Sequence, residues 1–169
     1  MLSFSIAALA VFLTYAIVCL CLFGITDSLS QTYYKWEEIH KNLGKFLFYT
    51  VLVTVGLLTI ISTVEKAGIF SLLMVVGISM VGVYPDYLNK TDNTFHVIGA
   101  LIAALSSGVT LFILLPAWLA ATILGIVFVI VLIFALLTKT LKRAYVYHME
   151  MVAFYSLFSG SILYNLFFV

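Results

Sequence analysis

The chain has 169 residues, of which 64% are hydrophobic and only 9% are charged. Soluble domains are about half apolar and about a quarter charged, so the composition excludes that class and indicates an integral membrane protein. The formal net charge of +1 argues against nucleic acid as a partner, because binding to phosphate backbones depends on clustered Lys and Arg.

Six stretches approach the length of about 20 apolar residues that a membrane-spanning helix needs. They are residues 4–23, 43–63, 67–84, 94–115, 117–137 and 147–168. The first stretch lacks the basic start of a signal peptide, and we expect it to be a retained span. Pro116 alone separates the fourth and fifth, and we place it at the first position of the fifth helix. The sequence therefore predicts an all-α, polytopic bundle of six transmembrane helices that forms a single domain over residues 1–169.

The basic residues orient this bundle. All but one of the 8 Lys and Arg residues lie in or beside the first, third and fifth loops, and the exception is Lys66. By the positive-inside rule these loops are cytoplasmic and both termini are extracytoplasmic. We expect a multi-pass protein of the cytoplasmic (inner) membrane, with its cytoplasmic loops at residues 25–42, 85–93 and 138–146.

Polar side chains collect in the same three loops, most densely in GITDSLSQTYYKWEE, residues 24–38. Ionisable residues that enter a span are costly and usually face a bundle interior or a wet cavity, and His96 and Glu150 are placed in this way. The sequence predicts a polar site on the cytoplasmic side. Its candidate ligand-binding residues are Asp27, Ser28, Ser30, Thr32, Tyr33, Tyr34, Asp86, His96 and Glu150.

A structural interpretation of these residues stays open beside the functional one. The aromatic residues of loop one fit an interfacial belt, and Ser28, Ser30 or Thr32 fit helix caps. His96 fits a hydrogen bond to a loop carbonyl, and Glu150 fits an ion pair with Lys142 or Arg143.

Small residues follow both ionisable groups at helical spacing. His96 shares a face with Gly99, Ala103 and Ser107, and Glu150 shares one with Ala153, Leu157 and Gly160 or Ser161. Because small residues let helices approach closely in a membrane, we expect the fourth and sixth spans to meet along these faces.

The third span ends in GVYPD, residues 82–86, and the fourth opens with HVIGA, residues 96–100. With the polar loop after the first span, this order resembles six-helix bacterial membrane proteins of unassigned function, related to the DRAM-like or FGF-receptor-activating-protein-like group. The resemblance covers residues 24–108 in detail. It implies a six-helix bundle and implicates Pro85, Asp86 and His96, but it implies no activity.

Three functions are compatible with these features. The leading hypothesis is a non-enzymatic protein, without a cofactor, that binds a lipid headgroup or a small polar solute and could act as a transporter or channel. The second is a membrane-embedded, metal-dependent lipid hydrolase, although the chain has no His-x-x-x-His pair; its zinc ligands would be Asp86, His96, His148 and Glu150. The third is a structural or accessory subunit, with membrane lipids, further copies of the chain or other membrane proteins as partners.

Overall fold

A computed structural model describes the backbone of residues 1–85 and 90–169 and the side chains of residues 1–85 and 93–169. Over these residues the chain is all-α and has no strand, as predicted. Its seven helices are α1 Leu2–Phe23, α2 Gln31–Ile39, α3 Leu43–Ala67, α4 Ile69–Val83, α5 Lys90–Leu114, α6 Ala117–Leu137 and α7 Tyr145–Phe167.

Four helices in the described part of the chain are long and apolar enough to cross a membrane, and they are α1, α3, α5 from Asn93 onward, and α6. Helix α4 is apolar but has only 15 residues. Helix α7 has 23 residues, but its His, Glu, Asn and Ser side chains lower its mean hydropathy. The structure confirms a helical bundle of membrane character, whereas the count of six spans and the sidedness stay predictions.

The helix boundaries lie within about four residues of the predicted spans, and the structure differs from the prediction at two further points. Pro116 was predicted to be the first helical residue of α6, but it is the N-cap residue of that helix. Its φ of −52° and ψ of 139° are not helical values, and they turn the chain between α5 and α6. In the first loop the chain forms α2, a short helix that the count of spans does not include.

Helix α2 lies against the start of α3 through Glu37. The carboxylate of Glu37 accepts hydrogen bonds from the backbone N–H groups of Asn42, at 2.8 Å, and Lys45, at 3.1 Å. Slight burial opposes ionisation, but these N–H donors outweigh it and lower the pKa of Glu37 below its ordinary value. The turn between α2 and α3 is thus fixed, which holds α2 across the end of the bundle.

The centre of the bundle lies between α1, α3, α4 and α7. Its largest fully buried side chains include Phe12, Phe48, Val55, Met74 and Phe158. The outer face of α6 is different, since Ile126, Val129, Ile130, Ile133 and Leu137 are all exposed. Such an apolar perimeter is what a lipid environment requires of a helix that packs on one side only.

Helices α4 and α5 come into backbone contact through glycines. A Cβ atom added at Gly77 would lie 2.5 Å from the backbone N of Ala103 and 2.6 Å from the carbonyl O of Gly99. The small-residue face of α5 therefore packs on α4, and the prediction that it meets the last span is wrong for Gly99 and Ala103. Helix α7 instead meets α5 further along, where Gly160 contacts the side chain of Leu111.

We expect Gly77→Ala to destabilise the protein by about 1–3 kcal/mol, the usual cost of an overpacked interface. The matched control is Gly108→Ala, because a Cβ atom at Gly108 has nothing within 4 Å, and alanine favours a helix over glycine by about 1 kcal/mol. Thermal unfolding in detergent measures both variants. Equal stability of the two variants would contradict the close α4–α5 contact.

Candidate ligand-binding site

The non-helical residues 25–30, which we call the cap segment, cross one end of the bundle between α1 and α2. Gly24 has a φ of 71°, a left-handed value that glycine adopts without strain, and it turns the chain out of α1. The cap segment is then fixed to the start of α7, because the backbone N–H of Tyr147 donates to the carbonyl O of Asp27 at 3.2 Å. We call this end of the bundle the cap end.

Glu150 is a second attachment point for the cap segment. Its Oε2 accepts a hydrogen bond of 2.6 Å from the backbone N–H of Leu29, a residue that is itself buried. The alternative that Glu150 pairs with Lys142 or Arg143 is not what the structure shows. Arg143 precedes α7 and lies at the surface, where it donates to the carbonyl O of Ile25 at 2.9 Å and pairs with Asp27 at 3.7 Å.

His96 connects the cap segment to α4 and α5. Its Nδ1 lies 2.8 Å from the carbonyl O of Tyr84, and its Nε2 lies 2.9 Å from Oγ of Ser30. A carbonyl only accepts, so Nδ1 carries a proton, and Nε2 forms a hydrogen bond with the Ser30 hydroxyl. The predicted hydrogen bond to a loop carbonyl is therefore present, and the buried imidazole also positions Ser30.

Thr32 belongs to a different network. Its hydroxyl donates to the carbonyl O of Leu29 at 2.6 Å, and the Tyr15 hydroxyl lies 2.6 Å from the same Thr32 oxygen. Tyr33 and Tyr34 pack edge to face on each other. Because successive side chains diverge by about 100° along a helix, these three residues of α2 point in three different directions and do not form one group.

A cavity of about 700 Å³ lies beneath the cap segment, between α3, α4, α5 and α7. Known ligand pockets have volumes of about 300–1,000 Å³. Five of the predicted ligand-binding residues line this cavity, and they are Asp27, Ser28, Ser30, His96 and Glu150. Thr32, Tyr33 and Tyr34 do not line it, and Asp86 lies outside the described residues.

Apart from Ser107, which lies further along α5, the polar lining is at the cap end. Most of the remaining wall is apolar, and its deeper part includes Phe48, Leu52, Met74, Ile78, Phe154 and Leu157. Sequence reasoning did not identify Asn93, which also lines the cavity. Its position one helical turn before His96 is the signal that could have revealed it.

The cavity opens sideways between α5 and α7. Tyr145, Met149 and Leu101 line it, yet their side chains are 64%, 57% and 58% exposed. A pocket enclosed within the bundle would have buried lining residues. A molecule in the surrounding medium can therefore enter between these two helices without passing through the cap end.

Of the residues of the zinc hypothesis, His148 lies apart from His96 and Glu150. Nε2 of His148 lies 3.0 Å from Oγ1 of Thr140, and the His148 ring packs against Phe134, on a different face of α7 from Glu150. Among the described side chains, no group of three or more His, Cys, Asp or Glu residues could hold a metal ion. Asp86 is not among those side chains, so the complete zinc set stays a prediction.

Comparison of the chain with protein-family models, with curated proteins and with solved structures finds no match. The resemblance of GVYPD and HVIGA to the DRAM-like group therefore stays a prediction.

We expect Glu150→Ala to accelerate hydrogen exchange in residues 25–31 by about two- to tenfold, because an intramolecular hydrogen bond contributes about 0.5–1.5 kcal/mol. Glu38→Ala is the control, since Glu38 pairs only with exposed Lys35 among the described residues. Exchange mass spectrometry in detergent provides the measurement. An unchanged rate in Glu150→Ala would show that Glu150 does not hold the cap segment.

Proposed function

We propose that this chain is a six-span membrane protein that binds an amphiphilic molecule, with the polar group of the ligand beneath the cap segment and its apolar chain between α5 and α7. By the distribution of Lys and Arg, the cap end faces the cytoplasm. The six spans would be the four long apolar helices together with α4 and α7. In this arrangement the ligand lies within the cytoplasmic half of the bilayer.

The observation that carries the proposal is the distribution of polarity in one laterally open cavity. Hydroxyl, imidazole and carboxylate groups lie at the cap end, whereas the depth is lined by aliphatic and aromatic side chains with the single hydroxyl of Ser107 among the described residues. A small polar solute would leave the deep apolar wall unmatched, whereas a purely apolar ligand would leave Oε1 of Glu150 without a polar partner. An amphiphile satisfies both ends, because burial of its chain is favourable and its headgroup meets polar side chains.

Binding is favoured over a continuous channel by an aromatic layer below the cavity. Phe12 stacks on Phe154 with ring centroids 4.5 Å apart, and Phe158 packs on both rings. Beyond this layer, near the other end of the bundle, a second polar cluster joins α1, α3 and α7. There Ser161 contacts the hydroxyls of Ser5 and Ser62 at 2.8 and 3.2 Å.

These hydroxyl contacts are between helices, as expected for polar groups that hold a membrane bundle together. The aromatic layer separates them from the cavity. The polar residues at the far end thus join helices to each other, whereas those at the cap end line the cavity.

We expect Ala104→Phe and Ala153→Phe to remove ligand binding, because both residues line the cavity, one from α5 and one from α7, and a phenyl ring fills its space. Ala121→Phe on exposed α6 is the control. Native mass spectrometry of protein purified in mild detergent would show one retained lipid adduct in the wild type and in the control. Equal retention in all four proteins would contradict the proposal.

A further inference from the structure

The carboxylate of Glu150 is only partly satisfied by the protein. Oε2 accepts the hydrogen bond from Leu29, whereas no side chain with a described position donates to Oε1. None of the described Lys or Arg residues lies within ion-pair distance of this carboxylate. A carboxylate away from water needs a compensating charge or a hydrogen-bond donor. The ligand can supply that charge or donor to Oε1.

The other side chains at the polar end add acceptors rather than positive charge. Asp27 also lines the cavity, and so do Ser28 and Asn93, but the described lining contains no Lys or Arg. Arg143, the only arginine of the chain, is held at the surface by Asp27 and the carbonyl of Ile25. Recognition of a phosphate group usually recruits Arg, and that chemistry is missing from the described wall.

Both nitrogens of His96 are also engaged within the protein. Nδ1 donates to the carbonyl of Tyr84, and Nε2 is hydrogen-bonded to the Ser30 hydroxyl. Both ring nitrogens are therefore occupied within the protein, and neither is left as a donor to an anionic group in the cavity. The polar end of the described cavity consequently favours a ligand that donates hydrogen bonds and carries positive charge.

We propose that the amphiphile carries an ammonium headgroup, which forms an ion pair with Glu150 while its alkyl chain occupies the apolar depth between α5 and α7. This inference rests on the proposed function and specifies the ligand class of the same site. The ammonium group occurs both on single-chain alkylamines and on aminophospholipids, so the test has an arm for each source.

The first arm compares dodecylamine with dodecanol, which has the same chain and no charge. Displacement of a fluorescent alkyl probe from the purified protein in detergent measures both affinities at neutral pH. We expect the amine to bind the wild type at least about tenfold more tightly, which corresponds to about 1.4 kcal/mol. In Glu150→Gln the ratio should fall close to one through loss of amine affinity, whereas the control Glu38→Gln should keep the wild-type ratio.

The second arm measures retention of phosphatidylethanolamine against phosphatidylcholine by native mass spectrometry. Preferential retention of the ethanolamine lipid identifies the membrane lipid as the source. A preference seen only for dodecylamine identifies a single-chain amine.

The outcomes separate the two proposals. If dodecylamine and dodecanol bind the wild type equally and neither binds the Ala104→Phe variant, the ammonium inference is wrong and the amphiphile site remains. If neither binds, the amphiphile site itself is wrong. The comparison of the two ligands on the wild type decides the question even if Glu150→Gln fails to fold, because it needs no variant.

Discussion

The arrangement of the cap end depends on how one stretch of non-helical backbone satisfies its polar groups. Inside a membrane a helix satisfies its own N–H and C=O groups, but a connecting segment must find other partners. Residues 25–30 find them in α7 and α5. Glu150 accepts from the N–H of Leu29, the N–H of Tyr147 donates to the carbonyl of Asp27, and the His96 ring is hydrogen-bonded to the Ser30 hydroxyl. These contacts hold the cap segment across the end of the bundle, so that its polar residues line the cavity beneath it.

The shape of that space follows from where the helices can approach each other. Gly77 and Gly99 bring α4 and α5 into backbone contact, which fixes the direction of α5. Helix α7 touches α5 further from the cap end, where Gly160 accommodates Leu111. Between the cap segment and this contact, α5 and α7 are apart, and the cavity occupies the gap. The aromatic layer of Phe12, Phe154 and Phe158 closes its lower end.

Much of the architecture was predictable because span length and turn chemistry are local properties. The apolar stretches and Pro116 place the helix boundaries within a few residues. The concentration of polar groups near Ser28, Ser30, His96 and Glu150 predicted a shared site, and these four side chains do line one cavity.

The side-chain partners depend on which faces of the helices meet. The spacing of residues in a single sequence does not show which faces those are. In the sequence, Thr32 and Ser30 were equally good candidates for the ligand site. In the structure, α2 begins at Gln31 and its direction places the Thr32 hydroxyl against Tyr15. The small-residue face behind His96 predicted a close neighbour but could not identify α4 as that neighbour. Glu150 had nearby basic residues in sequence, yet the helix start at Tyr145 directs its carboxylate inward to Leu29.

The central claim is that an amphiphile occupies the gap between α5 and α7, and photochemical crosslinking tests it most directly. The protein in lipid nanodiscs would be irradiated with an alkyl ligand that carries a diazirine on its chain, and the labelled peptides would be mapped by mass spectrometry. The account predicts saturable labelling within residues 93–107 of α5 and 145–157 of α7. Labelling spread over the exposed face of α6, around Ile130 and Ile133, with none in those two ranges, would contradict it.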